Sequence, residues 1–415
     1  MNEFHVWLEE KLLELNLTKT MNVPDGFSRL SFTEEEKEAH QQFKNIAVEL
    51  ELTTYQDVIG NQWALWEVSP DEKIIAMGSH LDTVYGGGGY DGTAGILAAF
   101  GVIKLMKREG FVPKKNLAVI CFVSEESARF AVSTVGSKAV IGKLNKEEMA
   151  KLQDKDGIYL KDAMESFGVK WDLIDQAEVP EEKIERFLEL HIEQGTILED
   201  AGAQIGIVSG IACPVRLKVQ VKGHANHTGT TPMNERKDAF AAIAPLITFV
   251  REEALKWNET SDVPLVATVS TVQLKPNAMN VIPEEVELGI DIRSVDDELK
   301  RTFAREVTAF CSDIERKEHV MIKVETLVDN DSVMLDDRVH ENLLEASRTK
   351  GYKTLSMNSG AGHDVMNMAL KWPAGLIFIP CRDGLSHHPK EHAEIADVEK
   401  GIRTMVYYLK NEAGE

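Results

Sequence analysis

The sequence predicts an α/β protein built around a mostly parallel sheet, with a smaller α+β domain inserted into it. Three observations lead there. Short continuous apolar runs recur between stretches of helical periodicity, as strands buried on both faces do. Between about residues 213 and 328 the runs give way to alternating apolar and polar residues, in the β-α-β-β-α-β order of a ferredoxin-like unit. The chain has 415 residues, enough for two or three domains with sizeable cores. The expected organisation is a core domain of residues 1–212 and 329–415 and an inserted domain of residues 213–328.

The elements can be justified in order. "MNEFHVWLEEKLLELN" has the pattern of an acidic amphipathic helix. "DEKIIAMGSHLDTV" reads as a buried strand ending near Ser79. "DGTAGILAAFGVIKLMKREG" reads as a helix, with Asp91 near its start and Gly110 as its stop. "NLAVICFVSEES" is a second buried strand that ends in acidic residues. "ERFLELHIEQGTILEDAG" is a strand running into a short helix, and "AGLIFIPCRDGLSHH" is a buried strand running into a polar loop. In the inserted segment, "PVRLKVQVKG", "LVATVSTVQL", "EEVELGIDIRS" and "VMIKVETLVD" alternate as half-exposed strands. Two helical stretches, "RKDAFAAIAPLITFVREEALKW" and "DDELKRTFAREVTAFCSDIERKE", separate them.

Charge narrows the partners. Forty-six Lys and Arg stand against 68 Asp and Glu, a formal net charge of −22. Nucleic acid and anionic membranes need basic surface, so neither is expected as a partner. No apolar run is long enough for a membrane span, and the acidic N-terminus lacks the pattern of a signal peptide. Cys121, Cys213, Cys311 and Cys381 are too scattered for a redox or zinc-finger pair. They fit reduced thiols in a cytoplasmic protein.

The chemistry concentrates at strand ends. His80 and Asp82 stand after the first core strand, Glu125 and Glu126 after the second, His191 in the third motif, and His387 and His388 after the last. In open α/β sheets ligands bind outside the carboxyl ends of the strands. Imidazoles and carboxylates gathered at such an edge are the donors of a Zn²⁺-type site. The stretch "VYGGGGYDGTAG" also contains a formal G-x-G-x-x-G at Gly87, Gly89 and Gly92, the mark of a dinucleotide site. Asp91 would repel a pyrophosphate there, and the loop has no G-K-[ST].

The set "GSHLDTV", "GGGGYDGTAGILAA", "EESARF", "LELHIEQGTILE", "GHANHTGTTPMNERKDA", "PNAMNVIP", "DIRS", "NSGAGHD" and "GLSHHPKE" resembles the amidase/hydantoinase/carbamoylase branch of the dinuclear zinc peptidases. That branch includes N-carbamoyl-L-amino acid hydrolases, allantoate amidohydrolases and β-ureidopropionases. The motifs run in family order from about residue 26 to the C-terminus. The resemblance implies a zinc-peptidase-like catalytic domain and an inserted dimerisation or lid domain. It also implies two divalent metal ions per subunit, with Zn²⁺, Mn²⁺, Co²⁺ and Ni²⁺ all suited to the donors.

By this resemblance the metal ligands are His80, Asp91, Glu126, His191 and His387, with Asp91 bridging. The glycines before Asp91 would then let the backbone pass close to the metals. The S-H-x-P pattern gives the ligand role to His387 and not His388. Asp82 is implied as the carboxylate that orients a ligand imidazole, and Glu125 as the general base. His227, Asn280 and Arg293 are implied to hold the substrate carboxylate and polarise the scissile carbonyl, with His227 reaching across a homodimer. Gln194, Gly360 and His363 are expected to line the pocket, although His363 also suits a structural hydrogen bond. Ser127 stands where the family commonly has glycine, the glycine run is richer than usual, and Tyr90 precedes the bridging acid.

The implied reaction is hydrolysis of the C–N bond of an N-carbamoyl-L-amino acid, a small ureido substrate. Allantoate is the alternative within the family, and an N-acyl amino acid or peptide is a third possibility. A metal-free binding protein on the same scaffold is the alternative outside enzymes.

Overall fold

The computed structural model describes residues 3–414. The chain divides into two compact units. The first comprises residues 1–209, 335–359 and 363–415, and the second residues 210–334 and 360–362.

The strands of the first sheet are β1 (Thr53–Gln56), β2 (Gln62–Trp66), β3 (Ile74–His80), β4 (Asn116–Phe122), β5 (Ile184–Ile192) and β6 (Ile205–Ile211). Those of the second are β7 (Pro214–Lys222), β8 (Val266–Lys275), β9 (Glu285–Arg293) and β10 (Met321–Asp329). The chain then returns to the first sheet through β11 (Val333–Met334), β12 (Thr354–Ser359) and β13 (Ala374–Ile379).

The first sheet has the order β1-β2-β4-β3-β5-β13-β6-β11, with β12 paired to β6. Its centre, β4-β3-β5-β13, is parallel throughout. These are the strands that read as continuous apolar runs, and β4 is buried at every residue. On either side the pairing turns antiparallel, at β2–β4 and at β6–β13. The helix Thr93–Arg108 lies in the main core, where Phe100 and Ile103 pack in one cluster with Phe43 and with Ile402 and Leu409 of the C-terminal helix Ile395–Gly414.

The second sheet is antiparallel, in the order β10-β7-β9-β8. Val215, Leu217, Val219 and Val221 of β7 alternate into the core, as the period of two requires. The helices Ala239–Thr260 and Asp297–Glu318 supply the rest of that core through Ile243, Leu246, Phe303 and Val307. The order is the β-α-β-β-α-β read from the sequence.

One buried charge stands out in this unit. The Lys300 ammonium is wholly buried and donates to Cys213 O at 2.9 Å, Asn330 O at 2.6 Å and Ser332 Oγ at 3.0 Å. It pairs with Asp297 at 2.6 Å. One side chain thereby satisfies polar groups on both stretches by which the chain enters and leaves the unit.

Candidate metal centre

Because β4, β3, β5 and β13 are adjacent and parallel, their carboxyl ends open onto one edge. His80 is the last residue of β3, and His191 is the last but one of β5. The turn Ser124–Glu125–Glu126 follows β4, and the loop bearing His387 follows β13. Ser124 and His387 both have left-handed backbones, at φ 52° and 56°. Non-glycine residues in that region cluster at functional sites.

The glycine run packs tightly. Gly92 has φ 62°, and a Cβ there would lie 2.5–2.6 Å from the His80 imidazole. A Cβ on Gly88 would lie 2.3 Å from the Glu391 side chain. The run is therefore the only kind of sequence that lets this loop lie against both side chains, and it carries Asp91 into the edge of the sheet.

Asp91 is the shared centre. Its Oδ1 is 3.4 Å from His80 Nε2 and 3.2 Å from His191 Nε2. Its Oδ2 is 3.5 Å from His387 Nε2, which is also 3.2 Å from Glu126 Oε1. Two groups of donors result, His80–Asp91–His191 and Asp91–Glu126–His387, each with ligand atoms within 4.8 Å of one another. Asp91 turns one oxygen toward each.

The donors suit a metal. His80 Nδ1 is 2.9 Å from the carbonyl of Asp82, and His191 Nδ1 is 3.0 Å from that of Ile192. A carbonyl can only accept, so each Nδ1 donates and each Nε2 faces Asp91. No lysine or arginine among the described residues forms an ion pair with Asp91, Glu125 or Glu126. Their direct charged partners among the described residues are imidazoles. Burial pulls the His80 pKa down, but Asp82, Asp91 and Glu125 outweigh it and raise it well above the ordinary value. Burial likewise raises Asp91, yet His191, His387 and His80 hold it well below the carboxylate range. Asp91 and Glu126 push His387 up to about 10. The edge is thus a place where positive charge at Nε2 is stabilised. A hard or borderline divalent cation with nitrogen and oxygen ligands meets that demand by replacing the protons.

Asp82 lies against the His80 imidazole with both its carbonyl and its carboxylate. The closer partner of His80 Nδ1 is the Asp82 carbonyl, with the carboxylate 3.5 Å away. The carboxylate accepts the N–H groups of Glu125 at 3.0 Å and Glu126 at 2.9 Å, together with the Ser31 hydroxyl at 2.9 Å. These donors tie the carboxylate to the acidic turn, while it also faces His80. Within that turn, Glu126 points to His387, while Glu125 Oε2 is 3.8 Å from His80 Nε2. Burial raises the Glu125 carboxyl well above the usual range, against the pull of His80 and with help from Glu126.

The remaining expected residues fall into three places. Gln194 donates to Asp91 Oδ2 at 2.7 Å and to Ser386 Oγ at 3.0 Å, so it lies on the shared acid. His363 is buried behind His191, with ring centroids 4.4 Å apart, and meets Ser359 Oγ at 3.2 Å. Burial and the neighbouring His191 keep it well below the ordinary histidine range. In the second unit, Arg293 donates to Asp291 at 2.7 Å and to the Gly360 carbonyl at 2.6 Å. His227 and Asn280 are also neighbours there, because the His227 segment bridges Val281 and Thr228 N donates to Asn280 O at 3.2 Å. His388 is exposed, and its Nδ1 accepts from Lys390 N at 3.1 Å.

Sequence reasoning assigned no role to Glu391 or Ser386, although both lie in the motif "GLSHHPKE". Glu391 Oε1 accepts the backbone N–H groups of Tyr90 and Asp91, each at 2.9 Å, and Ser386 Oγ donates to Asp91 Oδ2 at 2.8 Å.

The sequence profile described as peptidase family M20/M25/M40 matches residues 57–411. The chain belongs to this family. An N-carbamoyl-L-amino acid amidohydrolase of Geobacillus stearothermophilus is 35% identical over 92% of each chain. An allantoate amidohydrolase of Bacillus subtilis is 34% identical, also over 92% of each. A ureidoglycolate hydrolase of Arabidopsis thaliana is 35% identical over 91% of this chain and 80% of its own. Among solved structures, an amidase of the hydantoinase/carbamoylase family from Burkholderia multivorans superposes with a TM-score of 0.89 at 27% identity, covering 99% of this chain and 98% of that one. This M20 chain is accordingly a hydrolase of C–N bonds, an amidohydrolase. None of its helices is long and apolar enough to cross a membrane, among the described residues.

Proposed function

We propose that this amidohydrolase holds two divalent metal ions and hydrolyses an N-carbamoyl-L-amino acid to the free amino acid, ammonia and carbon dioxide. The observation that carries the reading is the split of Asp91 between two donor groups. His80 and His191 would hold one ion, Glu126 and His387 the other, and Asp91 would serve both. Zn²⁺ suits these donors, as do Mn²⁺, Co²⁺ and Ni²⁺. Metal ions in such a site polarise a carbonyl and lower the pKa of a nearby water.

The chain's own residues supply the rest. Glu125 takes the proton of the attacking water and returns it to the leaving nitrogen. Burial raises its pKa, which favours holding that proton between the two transfers. Asp82 fixes the turn that divides the work between Glu125 and Glu126. Residues 213–328 form a dimerisation and lid domain on a catalytic domain of residues 1–212 and 329–415. In it, Arg293 and Asn280 hold the substrate carboxylate, Arg293 through its planar fork. His227 polarises the scissile carbonyl of the partner subunit's substrate. Gln194, Gly360 and His363 border the pocket.

A homodimer is supported by the second sheet. β8 is an edge strand with Val266 and Val272 exposed, and the helix Ala239–Thr260 exposes Phe240, Ile247 and Leu255. Four free, buried cysteines support a cytoplasmic setting.

The allantoate reading stands beside the carbamoyl one, because relatives of both names are equally similar and both substrates join a ureido group to a carboxylate. The test is release of ammonia and free amino acid from a panel, with added Mn²⁺ or Zn²⁺ and with a chelator. The panel comprises several N-carbamoyl-L-amino acids, N-carbamoyl-β-alanine, allantoate, ureidoglycolate and an N-acetyl amino acid. Metal-dependent turnover of an N-carbamoyl-L-amino acid is expected. Turnover of allantoate alone would replace this reading, and turnover of the N-acetyl compound alone would move the substrate to acyl amides.

A further inference from the structure

We infer that Glu391 is a positioning residue that sets the backbone of the shared acid Asp91 and so tunes how tightly the site holds metal. The inference rests on the metal reading above.

Glu391 is 5% exposed and lies on the loop that also carries His387. Its Oε1 receives two consecutive backbone N–H groups, from Tyr90 and Asp91, both at 2.9 Å. Its Oε2 meets Ser386 Oγ at 3.3 Å, and that hydroxyl reaches Asp91 Oδ2 at 2.8 Å. A single carboxylate therefore grips the Asp91 main chain, and its second oxygen lies beside the hydroxyl that donates to the Asp91 side chain. It also ties the loop of His387 to the loop of Asp91, which is where the two donor groups meet. Charge-assisted bonds to main-chain N–H groups are among the stronger hydrogen bonds, and they fix a loop where no regular structure does. Gly88 is part of the same device. Its missing Cβ leaves the space that the Glu391 Cβ, Cδ and Oε1 occupy. Partners of this kind, which orient ligands without touching the ion, alter metal affinity 10–100-fold when removed.

The test measures Zn²⁺ bound per full-length chain across buffered free Zn²⁺ concentrations, with far-UV circular dichroism and Tm as controls for folding. Glu391→Ala is expected to weaken binding at least tenfold. Glu391→Gln keeps an oxygen acceptor for both N–H groups and should keep most of the affinity. Gly88→Ala should weaken binding in the parent but add little to Glu391→Gly, because the Cβ, Cδ and Oε1 that it strikes are then all gone. Parental affinity in a folded Glu391→Ala protein, or equal penalties for Gly88→Ala in both backgrounds, would overturn the inference while leaving the metal reading standing. If Glu391→Ala does not fold, Glu391→Gln and Glu391→Asp carry the test. Glutamine keeps the reach and aspartate loses it, so equal binding by the two overturns the assignment. A parent protein that binds no Zn²⁺, Mn²⁺ or Co²⁺ at all would sink the metal reading and this inference together.

Discussion

Asp82 holds Glu126 by its main chain: the Asp82 carboxylate accepts the Glu126 N–H at 2.9 Å and leaves the Glu126 side chain free to meet His387. The other oxygen does the same for Glu125. Two adjacent acids are thus pinned at the backbone and sent to different tasks. The expected outcome is that Glu125→Gln keeps its metal and loses turnover by about 10²-fold or more. Glu126→Gln should lose metal. Elemental analysis beside initial rates separates the two, and normal turnover in Glu125→Gln would remove it from the role of base.

The proposed dimer makes a different prediction. His227→Ala and Glu125→Gln subunits are each expected to be inactive alone. A heterodimer of the two would hold one site with both residues intact, if His227 acts across the interface. Mixed subunits should recover part of the activity, up to about half per dimer by simple counting of sites. Heterodimers confirmed by differential tagging that show no recovery would argue against sharing.

Acidity should act on Asp364. Burial, and then the neighbouring Glu189, push its carboxyl up to about 8, while Ser137 donates to it at 2.6 Å. The folded protein therefore keeps a proton that the unfolded chain releases. That contribution is complete below the ordinary aspartate range and is lost as pH climbs toward 8. Asp364→Asn cannot lose such a proton and keeps an oxygen for Ser137. Its Tm, relative to the parent, should rise between pH 5 and pH 8 and then level off. A Tm difference that stays flat across this range would show that Asp364 ionises normally.

Lys300 offers a test of the second unit. Replacing it with methionine keeps most of the apolar stem but strands the carbonyls of Cys213 and Asn330 and the charge of Asp297. Leaving a buried acceptor unpaired in this way costs roughly 1–3 kcal/mol. Denaturant unfolding of Lys300→Met should show that loss. An unchanged midpoint would mean that water replaces the ammonium without penalty.

How much of this was written in the sequence depends on which atoms make each contact. The central strands were legible because burial on both faces leaves an uninterrupted apolar run, as in "NLAVICF". β1 was not, since "TTYQ" is mostly exposed and carries no apolar pattern. β6 is apolar, but Gly206 and Gly210 weaken its strand signal. The histidines and acids of the metal edge were legible because each sits at the end of a recognisable strand or in a dense motif. The task of Glu391 was not, nor was the hold of Asp82 on the acidic turn, because both side chains bind main-chain N–H groups. Every residue except proline has such a group, so the partner leaves no mark in the sequence. Gly88 shows the same limit, because only the position of Glu391 explains why a Cβ is excluded there.

The place of β13 has a consequence for how the molecule is made. This strand lies between β5 and β6, parallel to the first and antiparallel to the second. During synthesis β5 and β6 leave the ribosome well before residues 374–379 exist. Until then the central sheet has two open edges facing a gap, and the segment that closes it also brings His387. The nascent chain therefore cannot complete either its sheet or its second donor group early. The open edges, which favour aggregation, persist until residues 374–379 have emerged.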